Sequence, residues 1–248
     1  MVFNRLLSLM LVIGFLVTSN AFGIQITLVQ DDIVTQEFDD PEHSAIVNPA
    51  NERLIGGSGV AFIIQRACGD KFVEALKAIP LKTENGVDIR CEVGGARAMQ
   101  SFNLKKKNEN YAHWVLNAVG PDVKGKINRS ISRKKQAKNK KDLLIKACRN
   151  TLDKAEKKDI TTVAFTAIST GIFGYDIEEA TPVQVKAVLR YLKKHQNFDE
   201  IRFVVYSDEH YEVYKEVLDG LVKKEKLAAV KVSNNKKNKE TKKRCYSF

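Results

Sequence analysis

The chain of 248 residues contains only four cysteines, five prolines and one long apolar run. So few cysteines exclude a small disulfide scaffold, and they form neither a Cys-x-x-Cys motif nor a Cys/His spacing that is typical of a metal site. We therefore expect no bound metal and no cofactor. A single apolar run excludes a protein with several membrane spans. An apolar content of 44% excludes an entirely disordered chain and is sufficient for one well-packed domain.

The apolar run lies at the N-terminus and has the pattern of an export signal. Arg5 precedes the apolar stretch Leu6–Val17, and the small residues Ser19 and Ala21 follow it. We expect residues 1–21 to be a secretory signal that is cut after Ala21, with the mature chain secreted or periplasmic. The alternatives are an uncleaved membrane anchor and a buried N-terminal helix.

Export would place the thiols in an oxidising compartment. Cys68 and Cys148 nevertheless lie on apolar faces of predicted helices, and Cys91 precedes a Gly-rich turn. We expect these three cysteines to be small buried apolar residues.

The formal charge of +11 is concentrated in two segments. Residues 124–141 contain nine Lys/Arg and no acid, and residues 222–248 carry a net +8, so the rest of the chain carries −6. The body is therefore not a basic nucleic-acid platform. We expect a basic insertion at 124–141 and a basic disordered tail at 229–248, which attach to a polyanion or an anionic membrane surface. A prenylated Cys245 is a weaker alternative, because Tyr246 and Ser247 are not aliphatic.

Predicted strands and helices alternate along the chain. Strands are predicted at 24–29, 45–47, 112–119, 161–168 and 201–206, and helices at 60–79, 143–155, 180–192 and 211–221. This alternation is typical of a layered α/β sheet flanked by helices. We expect a single, monomeric domain over residues 22–228.

Three loops after predicted strands carry side chains or backbone groups suited to a ligand. The first is Asn48–Asn51, whose two amides can hold sugar hydroxyls or a water, or can instead cap the backbone as an Asx-turn. The second is Gly56–Gly59 before a helix, where unpaired N–H groups suit an anion, unless it is only a flexible turn. The third is Ser169–Gly174, whose Phe173 can stack on a sugar or belong to the core. Together they suit a diphosphate between two riboses.

These segments resemble the macro domain family. The similarity lies in the runs Ala45–Asn51, Gly56–Val60, Arg66–Gly69 and Ala167–Tyr175, with Val119-Gly120-Pro121 in order between them. It extends over roughly residues 24–221. The resemblance implies a three-layer α/β/α fold around a mixed sheet, with ADP-ribose or ADP-ribosylated proteins as partners.

The resemblance also implies roles for individual residues. Asp32 would accept from the adenine amino group, with a neighbouring contact from Ile33, and Tyr206 would pack beside the adenine. Asn51 and Phe173 would lie at the distal ribose and are the candidate catalytic residues. The remaining candidate ligand-binding residues, which include the two sides of the diphosphate site, are Asn48, Gly57, Ser58, Gly59, Val60, Ser169, Thr170, Gly171, Ile172 and Gly174.

Two departures from the family pattern bear on function. Asp31 replaces a turn glycine of the family, and Ala61 stands where hydrolytic members often carry an acid that positions a water, followed by a bulky Phe62. Removal of mono-ADP-ribose from modified protein side chains by hydrolysis is the first hypothesis. The alternatives are an ADP-ribose reader without turnover, and an interaction protein that acts through its basic segments.

Overall fold

The computed structural model describes residues 23–84, 87–124, 133–225 and 231–233. The predicted export signal lies outside these residues. The strands are β1 (Gln25–Gln30), β2 (Ser44–Ala50), β3 (Lys82–Glu84), β4 (Val87–Ile89), β5 (Ala96–Gln100), β6 (Trp114–Val119), β7 (Thr162–Phe165), β8 (Glu200–Val205) and β9 (Lys231–Ser233). The helices are α1 (Gly59–Cys68), α2 (Asp70–Lys77), α3 (Leu104–Lys107), α4 (Arg133–Glu156), α5 (Ile177–Leu192) and α6 (Asp208–Glu225).

Seven strands form one sheet in the order β5-β6-β2-β7-β8-β1-β9. Only β5 is antiparallel to its neighbour in this sheet, and β3 and β4 form a separate hairpin. The central strand β2 carries Ala45, Ile46 and Val47, each at most 1% exposed, as expected for a parallel strand that is covered on both faces.

Helices cover both faces of the sheet, and each face has its own apolar core. On one face α4, α5 and α6 contribute large buried residues such as Leu144, Val188 and Tyr214. On the other face α1 and α2 contribute Ile64 and Phe72. The structure therefore confirms the predicted three-layer α/β/α fold with a central mixed sheet. None of the described helices combines the length and apolar content that crossing a membrane requires.

The single helix predicted at 60–79 is wrong, because Gly69 divides it into α1 and α2. Gly69 has a φ of +81°, which a residue with a side chain rarely adopts. A Cβ at this position would also overlap the side chain of Asn103. The helical spacing continues across the break because both helices pack on the same core.

The two basic segments also differ from the expectation. The basic insertion predicted at 124–141 is helical from Arg133 onward, where its residues form the first turns of α4. Lysine, arginine, glutamine and alanine favour helix even without an apolar stripe. In the predicted tail, Lys231–Ser233 form β9, which pairs with β1 in parallel from Thr27 to Val29. Cys68, Cys91 and Cys148 are buried and free, as predicted.

Candidate functional site

A cavity of about 570 Å³ opens where β1, β2, β7 and β8 end. The neighbours β2 and β7 pair only as far as Ile46 and Ala164, so their carboxyl ends separate and leave space between them. Ligands of open α/β sheets bind at this edge, and the volume is typical of a small-molecule site.

A buried glutamine of α5 fixes the chain between β7 and the loop Ser169–Gly174. The Gln184 side chain donates from Nε2 to Thr166 O (2.8 Å) and accepts at Oε1 from Ile168 N (3.0 Å). Thr166 Oγ1 in turn donates to Val47 O on β2 (3.1 Å). These bonds replace the strand pairing that ends with β7, so the loop leaves the sheet in a defined direction.

The first residue of this loop is held in an unusual conformation. Ser169 has a φ of 69°, and its buried Oγ makes no hydrogen bond with the described residues. Gly120, directly after β6, makes room for Ser169, because a Cβ there would overlap the serine Oγ and lie 2.5 Å from Ile168 Cγ2. Strained backbone and an unpaired buried hydroxyl cluster at functional sites.

The Gly56–Gly59 loop faces Ser169–Gly174 across the cavity. Ser58 at the start of α1 makes no side-chain capping bond, and the first turn of α1 contains no acid. Ile172 Cδ1, from the opposite loop, lies 3.4 Å from the Cβ position of Gly59. The N-terminus of α1 therefore offers unpaired N–H groups and a positive dipole end, which suit a diphosphate.

Asn51 and Phe173 lie in the walls of the same cavity. Asn51 Nδ2 donates to Ile55 O (2.9 Å), and this bond fixes the orientation of the amide. Its Oδ1 is buried and has no hydrogen-bond partner among the described residues, which leaves an unsatisfied acceptor in a residue of the cavity wall. The carbonyl of Phe173 accepts from the N–H groups of Val123 (2.9 Å) and Lys124 (3.2 Å).

The ends of β1 and β8 form another part of the wall. Asp32 Oδ1 accepts from Val34 N (3.2 Å), so Asp32 caps the short 3-10 helix Ile33–Thr35. Tyr206 is 55% exposed directly after β8. His210 follows in the first turn of α6, where burial lowers the pKa of its imidazole. A neutral imidazole presents one donor and one acceptor at pH 7.

The structure brings most of the predicted site residues together in this cavity. Those that line it are Asp32, Ile33, Asn51, Gly57, Ser58, Gly59, Val60, Ser169, Thr170, Gly171, Ile172, Phe173 and Tyr206. Gly174 and Asn48 do not line it. At Gly174, which has a φ of +64°, the side chain of Lys124 occupies the space where a Cβ would lie. Gly174 therefore packs against Lys124 on the side of the loop that does not line the cavity.

Asn48, which was predicted to bind ligand, lies inside β2 and does not line the cavity. Asn48 is fully buried, and its Nδ2 donates to Oδ1 of the equally buried Asn117 on β6 (2.8 Å). This bond joins neighbouring strands and satisfies Asn48 Nδ2 and Asn117 Oδ1, while Asn48 Oδ1 has no partner among the described residues.

Replacing Asn48 with alanine should lower the free energy of unfolding by about 1–3 kcal/mol, since Asn117 Oδ1 then loses its donor in the core. The affinity of the folded protein for ADP-ribose should stay within about twofold, or ~0.4 kcal/mol, because Asn48 does not line the cavity. Urea unfolding and calorimetry test both statements. If Asn48→Ala has normal stability but does not bind ADP-ribose, Asn48 is a ligand-binding residue after all.

Sequence reasoning missed several residues of the wall. Gly120 follows β6 and His210 follows β8 by one helical turn, while Ile63 comes from α1. The signal for Gly120 was its place directly after a buried strand, in the same position as the other glycine loops. For His210 the signal was its place three residues after Ser207, the spacing typical of a helix N-cap. In the structure Ser207 Oγ accepts from His210 N (3.2 Å) at the start of α6.

This arrangement defines an α/β/α domain with a cavity between two glycine loops at the carboxyl ends of the strands. The Macro domain family model matches residues 47–184. A Macro domain-containing protein of Caldanaerobacter subterraneus, TTE0995, is 37% identical over 80% of this chain and 98% of its own length. The chain therefore belongs to the macro domain family.

Relatives with named activities and ligands are more distant. The ADP-ribose glycohydrolase MACROD2 of Xenopus laevis is 30% identical over 83% of this chain, which spans 43% of that protein. The O-acetyl-ADP-ribose deacetylase of Cronobacter sakazakii is 31% identical over 78% of this chain and 93% of its own length. The Trypanosoma brucei macrodomain in complex with ADP-ribose superimposes with a TM-score of 0.61 at 25% identity, over 78% of this chain and 69% of that one.

Proposed function

We propose that this protein binds ADP-ribose in the cavity and hydrolyses it from modified acidic side chains of proteins. The observation that carries the proposal is the pair of loops, Gly56–Gly59 and Ser169–Gly174, which face each other beside Asn51. The diphosphate would lie between the loops, on the N-terminus of α1. The adenine would lie at Asp32 and Tyr206, and the distal ribose at Asn51 and Phe173.

The reaction requires a water placed near the anomeric carbon of the distal ribose. Its oxygen forms the new bond to that carbon while the bond to the side-chain carboxylate breaks, and the water proton passes to solvent. The products are free ADP-ribose and a free carboxylate. Because Ala61 provides no acid, the water would be held by Asn51 and by the ligand's own phosphate, which is a positioning effect.

The named activities of two relatives support a hydrolase. MACROD2 is an ADP-ribose glycohydrolase, and the Cronobacter protein is a deacetylase of O-acetyl-ADP-ribose. The name of the first describes the release of ADP-ribose, and the name of the second describes the removal of an acetyl group from ADP-ribose. A reader without turnover is the second candidate, and Ala61 in the first turn of α1 favours it. Incubation with an auto-modified ADP-ribosylated protein separates them, since a hydrolase releases the label with time and a reader retains it.

The first expected result is binding of ADP-ribose with a Kd in the micromolar range, about −8 kcal/mol. The physical reason is the combination of an anion-binding helix end with a preformed cavity. Titration calorimetry on residues 22–248 measures it, and AMP and ribose 5-phosphate serve as partial ligands. No heat with ADP-ribose at high protein concentration would contradict the proposal.

The remaining sequence expectations are proposals of the same kind. We propose that residues 1–21 export the chain, that the mature protein is a monomer, and that the basic segments attach to an anionic partner without contributing to ADP-ribose binding. The charge distribution supports the last point, since the two segments are basic and the rest of the chain is net acidic. A truncated variant that lacks the tail should end after Ser233, because an earlier end removes β9.

A further inference from the structure

Lys124 lies directly behind the wall of the cavity that would hold the distal ribose. Its N–H and that of Val123 donate to Phe173 O, at 3.2 and 2.9 Å. Its methylene groups pack against Gly174, where any side chain would collide with them. Lys124 is exposed, and its backbone bond places it beside Phe173, which lines the cavity.

The first described turns of α4 reach the same segment of chain. Lys140 Nζ forms an ion pair with Glu179 and lies 4.6 Å from the ring centroid of Tyr175, directly after Gly174. Lys138 and Lys141 on the same turn are exposed. Lys140 therefore anchors the helix, and its neighbours remain available to a partner. We call Lys124, Lys138 and Lys141 the rim lysines.

The position of the rim lysines would let them contact the polypeptide that carries the modified side chain. In the proposed function the modified side chain leaves the cavity at the distal ribose, beside Phe173. The polypeptide on either side of that side chain must then pass over the adjoining surface. Residues 124–141 contain no acid and are flanked by Asp122 and Asp142, so that polypeptide meets a net positive charge.

The chemistry of this surface favours carboxylates over nucleic acid. Proteins that bind single-stranded nucleic acid combine positive charge with exposed aromatic faces on which bases stack. Of the two described rings beside these lysines, Phe173 lines the cavity, and Tyr175 is 3% exposed and covered by Lys140. The surface thus offers ammonium groups and no stacking face.

From these observations we infer that the rim lysines bind acidic residues flanking the ADP-ribosylated side chain, so that the protein prefers modified sites in acidic sequence. The inference rests on the proposed function and names its substrate class. Three exposed ion pairs correspond to about a fivefold to tenfold preference, which should decrease as salt screens the charges.

The test uses residues 22–248 and two synthetic peptides. Each carries one ADP-ribosylated glutamate, flanked in one peptide by four aspartates and in the other by four asparagines. We expect kcat/KM to be about fivefold to tenfold higher for the acidic peptide at low salt, and nearly equal at ~0.5 M salt. The triple variant Lys124→Met, Lys138→Glu, Lys141→Glu should lose or invert the preference, while the Kd for free ADP-ribose stays within about twofold, because methionine keeps the packing against Gly174 and the other two charges are exposed.

The matched control is the triple variant Lys71→Met, Lys77→Glu, Lys82→Glu. These lysines are exposed on α2 and β3, outside the cavity wall, and the change in net charge is the same. An equal loss of preference in the control would show that only net charge matters and would overturn the inference. So would equal rates for the two peptides in the unchanged protein.

Binding of the unmodified acidic peptide, followed by fluorescence anisotropy, provides a readout that does not depend on turnover. If no ADP-ribose binds and neither peptide is hydrolysed, the proposed function fails. If peptide binding is then weakened in the rim variant and not in the control, the rim lysines still form a docking surface for acidic peptides. Stronger binding of a single-stranded RNA oligonucleotide than of the acidic peptide, lost in the rim variant, would identify a nucleic-acid surface and overturn the inference.

Discussion

Replacing Asn51 with alanine should lower kcat for release of ADP-ribose from a modified protein by about 100-fold, the typical effect of losing one preorganised polar group at the reacting centre. Asn51 Nδ2 is fixed by Ile55 O at 2.9 Å, so the amide is oriented before ligand arrives. Its Oδ1, which has no partner among the described residues, would accept from a ribose hydroxyl or from the water. The loss should therefore appear in turnover more than in affinity.

The variant to compare with Asn51→Ala is Asp32→Ala, because Asp32 lies at the adenine end of the proposed ligand, far from the distal ribose. Asp32 would contact only the adenine, so its loss should raise the Kd by about tenfold and change kcat by less than about threefold. Steady-state and single-turnover kinetics on both variants separate the two effects. Equal losses in kcat would show that the assignment of the distal ribose to Asn51 is wrong.

Protein stability must be checked for both variants. Asn51 Nδ2 bonds a backbone carbonyl, and Asp32 caps the 3-10 helix Ile33–Thr35. Each change is expected to cost about 1 kcal/mol of unfolding free energy. Kinetics should therefore be measured well below the unfolding midpoint, with Asn48→Ala as the control for destabilisation without loss of the site.

The sequence was sufficient to locate the two glycine loops, because each follows a buried strand and contains residues that cannot continue it. It was misleading at Asn48, because Pro49 suggested that the strand had ended. Proline normally ends or avoids central strands. Here β2 continues to Ala50 because it still pairs with β6, whereas its pairing with β7 stops at Ile46, so the lost N–H of Pro49 faces the side where no ladder continues.

Other features of the site depend on contacts between distant segments and have no local signal. The fit of Ser169 into the space above Gly120 joins residues from different strands. The support of Gly174 by Lys124 joins the basic segment to the loop. Composition gave the charge of residues 124–141 but could not place Lys124 and Lys140 beside Gly174 and Tyr175.

Restoring an acid with Ala61→Asp should increase kcat on an ADP-ribosylated protein by at least about tenfold. A positioned general base contributes about 10²–10⁴-fold, and Ala61 lines the cavity in the first turn of α1. That turn contains no acid, so a carboxylate there also interacts favourably with the helix dipole. The Kd for ADP-ribose should rise by about threefold, because the new charge lies near the diphosphate.

Ala61→Asn is the matched control, since it adds the same volume and a polar group without a base. Space is limited there, because a Cβ on Gly56 would lie 2.8 Å from Ala61 Cβ, and both substitutions meet the same restriction. A gain in kcat with aspartate but not with asparagine would show that the unchanged protein lacks only the group that activates water. If both variants lose activity equally, the water is already positioned by Asn51 and the ligand phosphate, and Ala61 is required for the space it leaves. If neither the unchanged protein nor the aspartate variant releases the label while both retain ADP-ribose, the protein is a reader.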